Sequence, residues 1–368
     1  MTMKRQMSAV AISTLLAVCV LGALPRAAHA AAVHYWPLAK EAQAGNAQAV
    51  RQLMLAARAG HSVAQYYVGL LYHNGWGVPQ NYAKANTWYE KAAVQGVTYA
   101  EFNLGNAYSR GHGVPQNYAK ANTWYEKAAV QGVTAAEFSL GLAYSRGHGV
   151  PQNYAKANYW YEKAAAQGFA DAELNLGNAY SRGHGVPQNY AKANYWYEKA
   201  AVQGDAAAEN NLGNAYHHGW GVPQNYAQAD ALWRKAAVQG VTYAEFSLGN
   251  AYYAGRGVPQ NYAQADALWR KAAAQGYTYA EYNLGLAYQY GLGVPQNYAK
   301  ANTWYEKAAA QGDAHAEDNL GDTYYNGQGV PQNTMKAIYW WKKAAAQGGK
   351  VGEIAQHHIN LAETGGAG

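Results

Sequence analysis

The chain has 368 residues, of which 28 are basic and 22 acidic, giving a formal net charge of +6. So small and dispersed an excess gives no electrostatic footprint for nucleic acid. Only 14% of the residues are charged, against about 25% in an ordinary soluble protein, so Asn, Gln, Tyr and Gly fill exposed positions and make a neutral, aromatic, hydrogen-bonding surface.

At the N-terminus, Lys4 and Arg5 precede an uncharged apolar run from Ser8 to Leu24 and a small-residue site, Ala28-His29-Ala30. This order predicts a secretory signal peptide over residues 1–30, cleaved after Ala30, and hence a periplasmic or secreted protein. Cys19, the only cysteine, lies within that segment behind Val18 rather than a small residue, which argues against lipidation. The mature chain then has no disulfide or thiol chemistry, no membrane span, and 25 basic against 22 acidic residues, a net +3.

Residues 31–60 contain two weaker helices, predicted from Pro37 to Ala44 and from Ala47 to Ala59, that serve as an N-terminal cap. Val-Pro-Gln-Asn then starts at Val78, Val114, Val150, Val186, Val222, Val258, Val294 and Val330, always 36 residues apart. A fixed period of this length is the mark of a solenoid, whose units bury their apolar faces only by stacking.

One unit, Val97 to Gly132, shows the plan. Thr98 and Glu101 form a capping-box pattern that starts a first helix running to about Arg110, and Gly111 stops it. Gly113, Val114 and Pro115 are extended, because a residue before proline is pushed out of the helical region. Asn117 caps a second helix from Tyr118 to Gln131, ended by Gly132. Ala100, Leu104 and Tyr108 share one face of the first helix, and Ala121, Trp124, Tyr125 and Ala128 make the apolar face of the second. Gly105, costly within a helix by about 1 kcal/mol, makes room for an aromatic ring of the partner helix. The tryptophans read as core. In two units the Trp-Tyr pair becomes Leu232-Trp233 and Leu268-Trp269, and in the last it becomes Trp340-Trp341.

The series Ala100, Leu104, Gly105, Tyr108, Gly111, Gly113, Val114, Asn117, Lys120, Ala121, Trp124, Tyr125, Lys127, Ala128, Ala129 and Gly132 resembles the Sel-1-like repeat, a subclass of the tetratricopeptide-like helical repeats. The resemblance spans residues 61–348 in eight copies. Asn117 and its equivalents stand where family members commonly carry Asp. The resemblance implies an all-α fold, an α-solenoid forming a right-handed superhelix of eight 36-residue antiparallel helix pairs with helical caps. It also implies an adaptor that binds other proteins, often at the bacterial envelope. The association of a cysteine-rich branch with penicillin-binding or β-lactamase-related proteins does not carry over, since this chain lacks those cysteines. Residues 349–368 form a C-terminal cap, with a first-helix equivalent over Gly352 to Ala362 and a Gly-rich tail.

Across the second, third and fourth repeats, nine of twelve changes fall in or at the start of the first helix. Lys120, Glu126, Lys127 and Gln131 of the second helix stay unchanged. Positions equivalent to 99, 103, 106 and 110 form one stripe opposite the packed face, on the helices that line the concave side in this class. The expected partner-binding surface is therefore Tyr99, Asn103, Asn106, Arg110, Asp171, Asn175, Asn178, Arg182, Tyr243, Tyr279, Asn283, Tyr290, His315, Asp318 and Asp322. Its residue types suit adaptable polar contacts with aromatic anchors.

Arg110-Gly111-His112, repeated at 146–148 and 182–184, reads as a solvated or anion-binding loop strip. The repeated Glu101 series reads as structural rather than catalytic. No nucleophile-base pair, phosphate loop or metal motif is present, so no enzyme activity, cofactor or metal is expected. His217-His218 and His357-His358 are sequence neighbours that point to different helix faces. A peptidoglycan or exopolysaccharide-binding module is the alternative function.

Overall fold

The computed structural model describes residues 26–365, and every regular element in that range is an α-helix. The fold is an all-α solenoid. It divides into two compact units, Met1–Gln188 and Asn189–Gly368. The first holds α1 (Arg26–Gln43), α2 (Ala47–Arg58), α3 (Ser62–Asn74), α4 (Tyr82–Val94), α5 (Thr98–Arg110), α6 (Tyr118–Val130), α7 (Thr134–Arg146), α8 (Tyr154–Ala166) and α9 (Ala170–Arg182). The second holds α10 (Tyr190–Val202), α11 (Ala206–His218), α12 (Tyr226–Val238), α13 (Thr242–Ala254), α14 (Tyr262–Ala274), α15 (Thr278–Tyr290), α16 (Tyr298–Ala310), α17 (Ala314–Asn326), α18 (Thr334–Ala346) and α19 (Gly349–Gly365). Within each unit, successive helices pack side by side.

Every helix from α3 to α18 has 13 residues, because the same stop and start chemistry recurs. Gly111 ends α5 at φ 72°, where its N–H donates to the Ala107 carbonyl. Asn117 starts α6 by accepting from the Lys120 N–H at 2.9 Å. Gln116, whose role the sequence did not disclose, donates to the Ser109 carbonyl at 2.8 Å and closes the turn between the two helices. Asn153→Ala should lower stability by about 1 kcal/mol, the usual worth of a lost N-cap. Urea unfolding would check this, and no change would mean that the connecting loop alone sets the start of α8.

The core is built of small residues and one ring per pair. Ala100, Leu104, Ala121 and Ala128 are buried. Gly105 faces the ring of Tyr125 so closely that a Cβ there would overlap it, as expected from the sequence, and Gly213 faces Trp233 in the same way. Trp233, Trp269 and Trp341 fill this slot and are buried. Trp124 is not core as expected. It lies one position earlier, at the seam, half-buried, with the Lys127 ammonium 4.2 Å from its ring centre. That placement covers the outer ring face by a cation–π contact.

The expected capping box is absent. Val97 is the N-cap of α5 and makes no side-chain cap bond, and Thr98 is the first helical residue. Glu101 is buried and accepts from Gln131 Nε2 at 2.8 Å, across the helix pair. The same clamp joins Gln167 to Glu137, Gln275 to Glu245 and Gln347 to Glu317. Burial raises these carboxyls above the usual range while the Gln contact opposes the rise. The clamp outcompetes the cap because a buried carboxylate needs a donor, and Gln at the end of the second helix supplies one.

The caps also differ in extent. α1 begins at Arg26 rather than at Pro37, which lies inside it. The run from Ala27 to Ala32 holds five alanines, the strongest helix former, and carries the helix upstream. α19 extends beyond the expected Gly352–Ala362 at both ends. The apolar run of the expected signal peptide and the final three residues lie outside the described range.

Candidate partner-binding surface

The first-helix stripe separates into columns with different duties. Arg110, Asp171, Arg182, Tyr243, Tyr279, Tyr290 and His315 are exposed. Tyr99, Asn103, Asn106, Asn175, Asn178, Asn283, Asp318 and Asp322 are half-buried. The column of Asn106 serves the core. Its side-chain oxygen accepts from Tyr125 Oη at 2.9 Å. Asn214 and Asn250 accept from Trp233 and Trp269 Nε1, both at 3.1 Å, and Asp322 accepts from Trp341 Nε1 at 3.2 Å. These bonds satisfy the polar ends of the Tyr125, Trp233, Trp269 and Trp341 rings, so this column is less available to a partner than the sequence implied. Where Leu142 replaces the Asn, the Tyr161 hydroxyl is buried without a partner.

The exposed rings gather in the second unit. Tyr243 and Tyr279 flank Tyr277, with ring centres 5.1 Å and 5.6 Å from it, and Phe246 lies 4.9 Å from Tyr277. Burial, together with the neighbouring tyrosines, pushes the Tyr277 phenol up to about 12. Sequence reasoning placed Tyr243 and Tyr279 here but missed Tyr277 and Phe246. The readable signal was Tyr277 itself, which stands where Val97, Val133 and Val241 stand in other repeats. The same stripe carries a concavity of about 350 Å³ lined by Asn214, His217, His218, Asn250, Tyr253 and Arg256, among others. Its floor includes positions equivalent to 106, 109 and 110.

The loop histidines are committed elsewhere. His112, His148 and His184 stack on Tyr82, Tyr118 and Tyr154 with ring centres 4.7, 4.8 and 4.7 Å apart. The expected anion strip is therefore partly a ladder of staples from one repeat to the next. At the C-terminal end, α19 brings His358 Nδ1 to 3.2 Å from Asp318 and 3.4 Å from Asp322. His357 remains exposed, on another face as expected. Three ligand-type atoms within 4.8 Å were not anticipated, because the partner helix for Asp318 and Asp322 is the cap. Their evident role is to hold α19 on α17 through an ion pair when the imidazole is protonated.

The Sel1 repeat profile matches residues 62–97, 98–133, 134–169, 170–205, 206–241, 242–277, 278–313 and 314–349 without a gap. The chain belongs to the Sel1 repeat family. It is similar to a protective antigen of uropathogenic Escherichia coli strains displaying an SLR fold, with 38% identity and a TM-score of 0.79, over 84% of this chain and 66% of that one. It is also similar to a Sel1 repeat protein from Oxalobacter formigenes, with 32% identity and a TM-score of 0.66, over 84% of this chain and 89% of that one. No curated protein matches.

Sel1 repeat proteins are generally protein-interaction scaffolds, and their solenoid is typically non-catalytic. In this Sel1 chain Glu101, Glu137, Glu209, Glu245, Glu281 and Glu317 of the repeated carboxylate series are spent on the helix-pair clamp. No helix among the described residues is long and apolar enough to cross a membrane.

Proposed function

We propose that this chain is a non-enzymatic adaptor of the bacterial cell envelope, periplasmic or secreted, that holds a protein or peptide partner on the stripe lined by the first helix of each repeat. The observation that carries this reading is the ring patch of Tyr243, Phe246, Tyr277 and Tyr279. Tyr243 and Tyr279 are 61% and 58% exposed although apolar rings are better buried. Rings held by their neighbours lose little entropy on binding, which suits them as anchors for a partner. The placement at the envelope is supported by the N-terminal segment and by the E. coli relative being a protective antigen. A second reading, a peptidoglycan or exopolysaccharide module, is favoured by the same rings, since a sugar face stacks on an exposed phenol ring.

The test captures partners from solubilised envelope with the full chain and with a Tyr243→Glu, Tyr279→Glu, Tyr290→Glu variant of equal helicity. The expected result is one protein held by the parent and lost, by tenfold or more, by the variant. An unchanged set of captured proteins would sink the stripe reading. Loss of insoluble cell-wall material alone would transfer the proposal to glycans.

A further inference from the structure

In five of the pairs a buried Asn in the second helix ties the pair to the loop of the following one. Asn86 donates to the His112 carbonyl at 2.7 Å, Asn122 to His148 at 2.8 Å and Asn158 to His184 at 2.8 Å. In the second unit Asn194 donates to Trp220 at 2.6 Å and Asn302 to Gln328 at 2.9 Å. The donor is always the side-chain amide, because a backbone carbonyl only accepts.

At two positions of this series the chain has Asp, which donates nothing when ionised. Asp266 is paired, with Arg270 Nε at 2.7 Å and Nη2 at 3.3 Å. Asp230 is 2% exposed, and neither of its carboxylate oxygens has a partner. Arg234 stands where Arg270 stands one repeat later, yet it donates to Tyr252 Oη at 3.0 Å instead. The Asp230 carboxyl lies against Gly257, and the offset of 26 positions in the Asn series makes the Arg256 carbonyl its counterpart acceptor.

We propose that Asp230 is a proton-operated latch between α12 and the Gly255–Asn261 loop: protonated, it donates to the Arg256 carbonyl as Asn does elsewhere, and ionised, it turns to Arg234 and releases the loop. The structure holds both of the side-chain arrangements this requires. Asp266 with Arg270 is the ionised arrangement, and the Asn series is the donating one. The charged groups around Asp230 are Glu209 from α11 and Arg234 and Lys235 from α12, while Arg256 of the loop lines the concavity beside His217. Glu209, Arg234 and Lys235 line one shallow cavity with it.

The direction of the proton equilibrium agrees with the geometry. Burial holds the Asp230 carboxyl up to about 6, with Arg234 pulling the other way. A carboxyl raised in the folded state stabilises the fold most at low pH, below its unfolded value of 3.8. That stability is lost as pH rises through about 6.

The experiment is amide hydrogen exchange of residues 255–261 in the full chain between pH 5 and pH 8, corrected for intrinsic rates, with Asp230→Asn and Asp266→Asn alongside. The parent should lose protection in this loop by about tenfold or more across that range. Asp230→Asn, which installs the residue the other repeats use, should hold the loop protected at both pH values. Asp266→Asn should leave the pH dependence in place. A flat parent profile, or one that persists in Asp230→Asn, would overturn the latch. A carboxyl carbon shift for Asp230 that titrates below pH 4.5 would also overturn it.

Discussion

Gly149→Ala is expected to cost about 3 kcal/mol or more, while Gly168→Ala, with a similar backbone conformation, should cost about 1 kcal/mol. Both glycines sit at positive φ, 72° and 79°, where an L side chain costs about 1 to 2 kcal/mol. They differ in what lies around them. Around Gly168 nothing lies within 4 Å of an added Cβ. At Gly149 such an atom would meet Ala119 N at 2.5 Å and Tyr118 Cβ at 2.7 Å, the start of the preceding second helix. Backbone cannot rotate out of the way as a side chain can, so the loop must lift from α6 and give up the Asn122 bond to His148. Urea unfolding of the two variants checks this. Equal shifts in midpoint would mean that the loop is not wedged against its neighbour. Because a solenoid's stability is a sum of units and interfaces, loss at one junction should also broaden the transition.

The second large effect changes sign with its background. Gly141→Ala alone should destabilise by about 2 kcal/mol, since the new methyl overlaps the Tyr161 ring. In a chain already carrying Tyr161→Ala the slot is open, and the same change should stabilise by about 1 kcal/mol, the helix preference of Ala over Gly. Such coupling is what contacting residues show in a double-mutant cycle. If Gly141→Ala destabilises equally in both backgrounds, the glycine is there for a reason other than ring packing.

The helices and their ends were legible because their causes are local. Asn117 and Gly111 act within one turn, and the Gly105 slot follows from a glycine set in an apolar helix face opposite an aromatic one. The clamp from Gln131 to Glu101 was not legible. Glu three residues after Thr satisfies a local cap pattern, and only the folded pair shows that a residue 30 positions away takes its carboxylate. The candidate surface was half legible for the same reason. Tyr243, Tyr279 and Tyr290 are exposed as the stripe required, whereas Asn106 is drawn into a bond with Tyr125 across 19 positions. Tyr277 escaped because it lies at a helix entry, off the periodic stripe.

The longest side-chain bonds that recur from repeat to repeat span 19, 26, 30 or 33 positions, less than one 36-residue period. No segment therefore has to wait for a distant one before its contacts form, and adding a repeat adds no longer loop to close. Relative contact order falls as such an array grows, so a chain with one repeat more or fewer should reach its structure at nearly the same rate. How the chain finds its fold therefore sets no limit on the number of repeats.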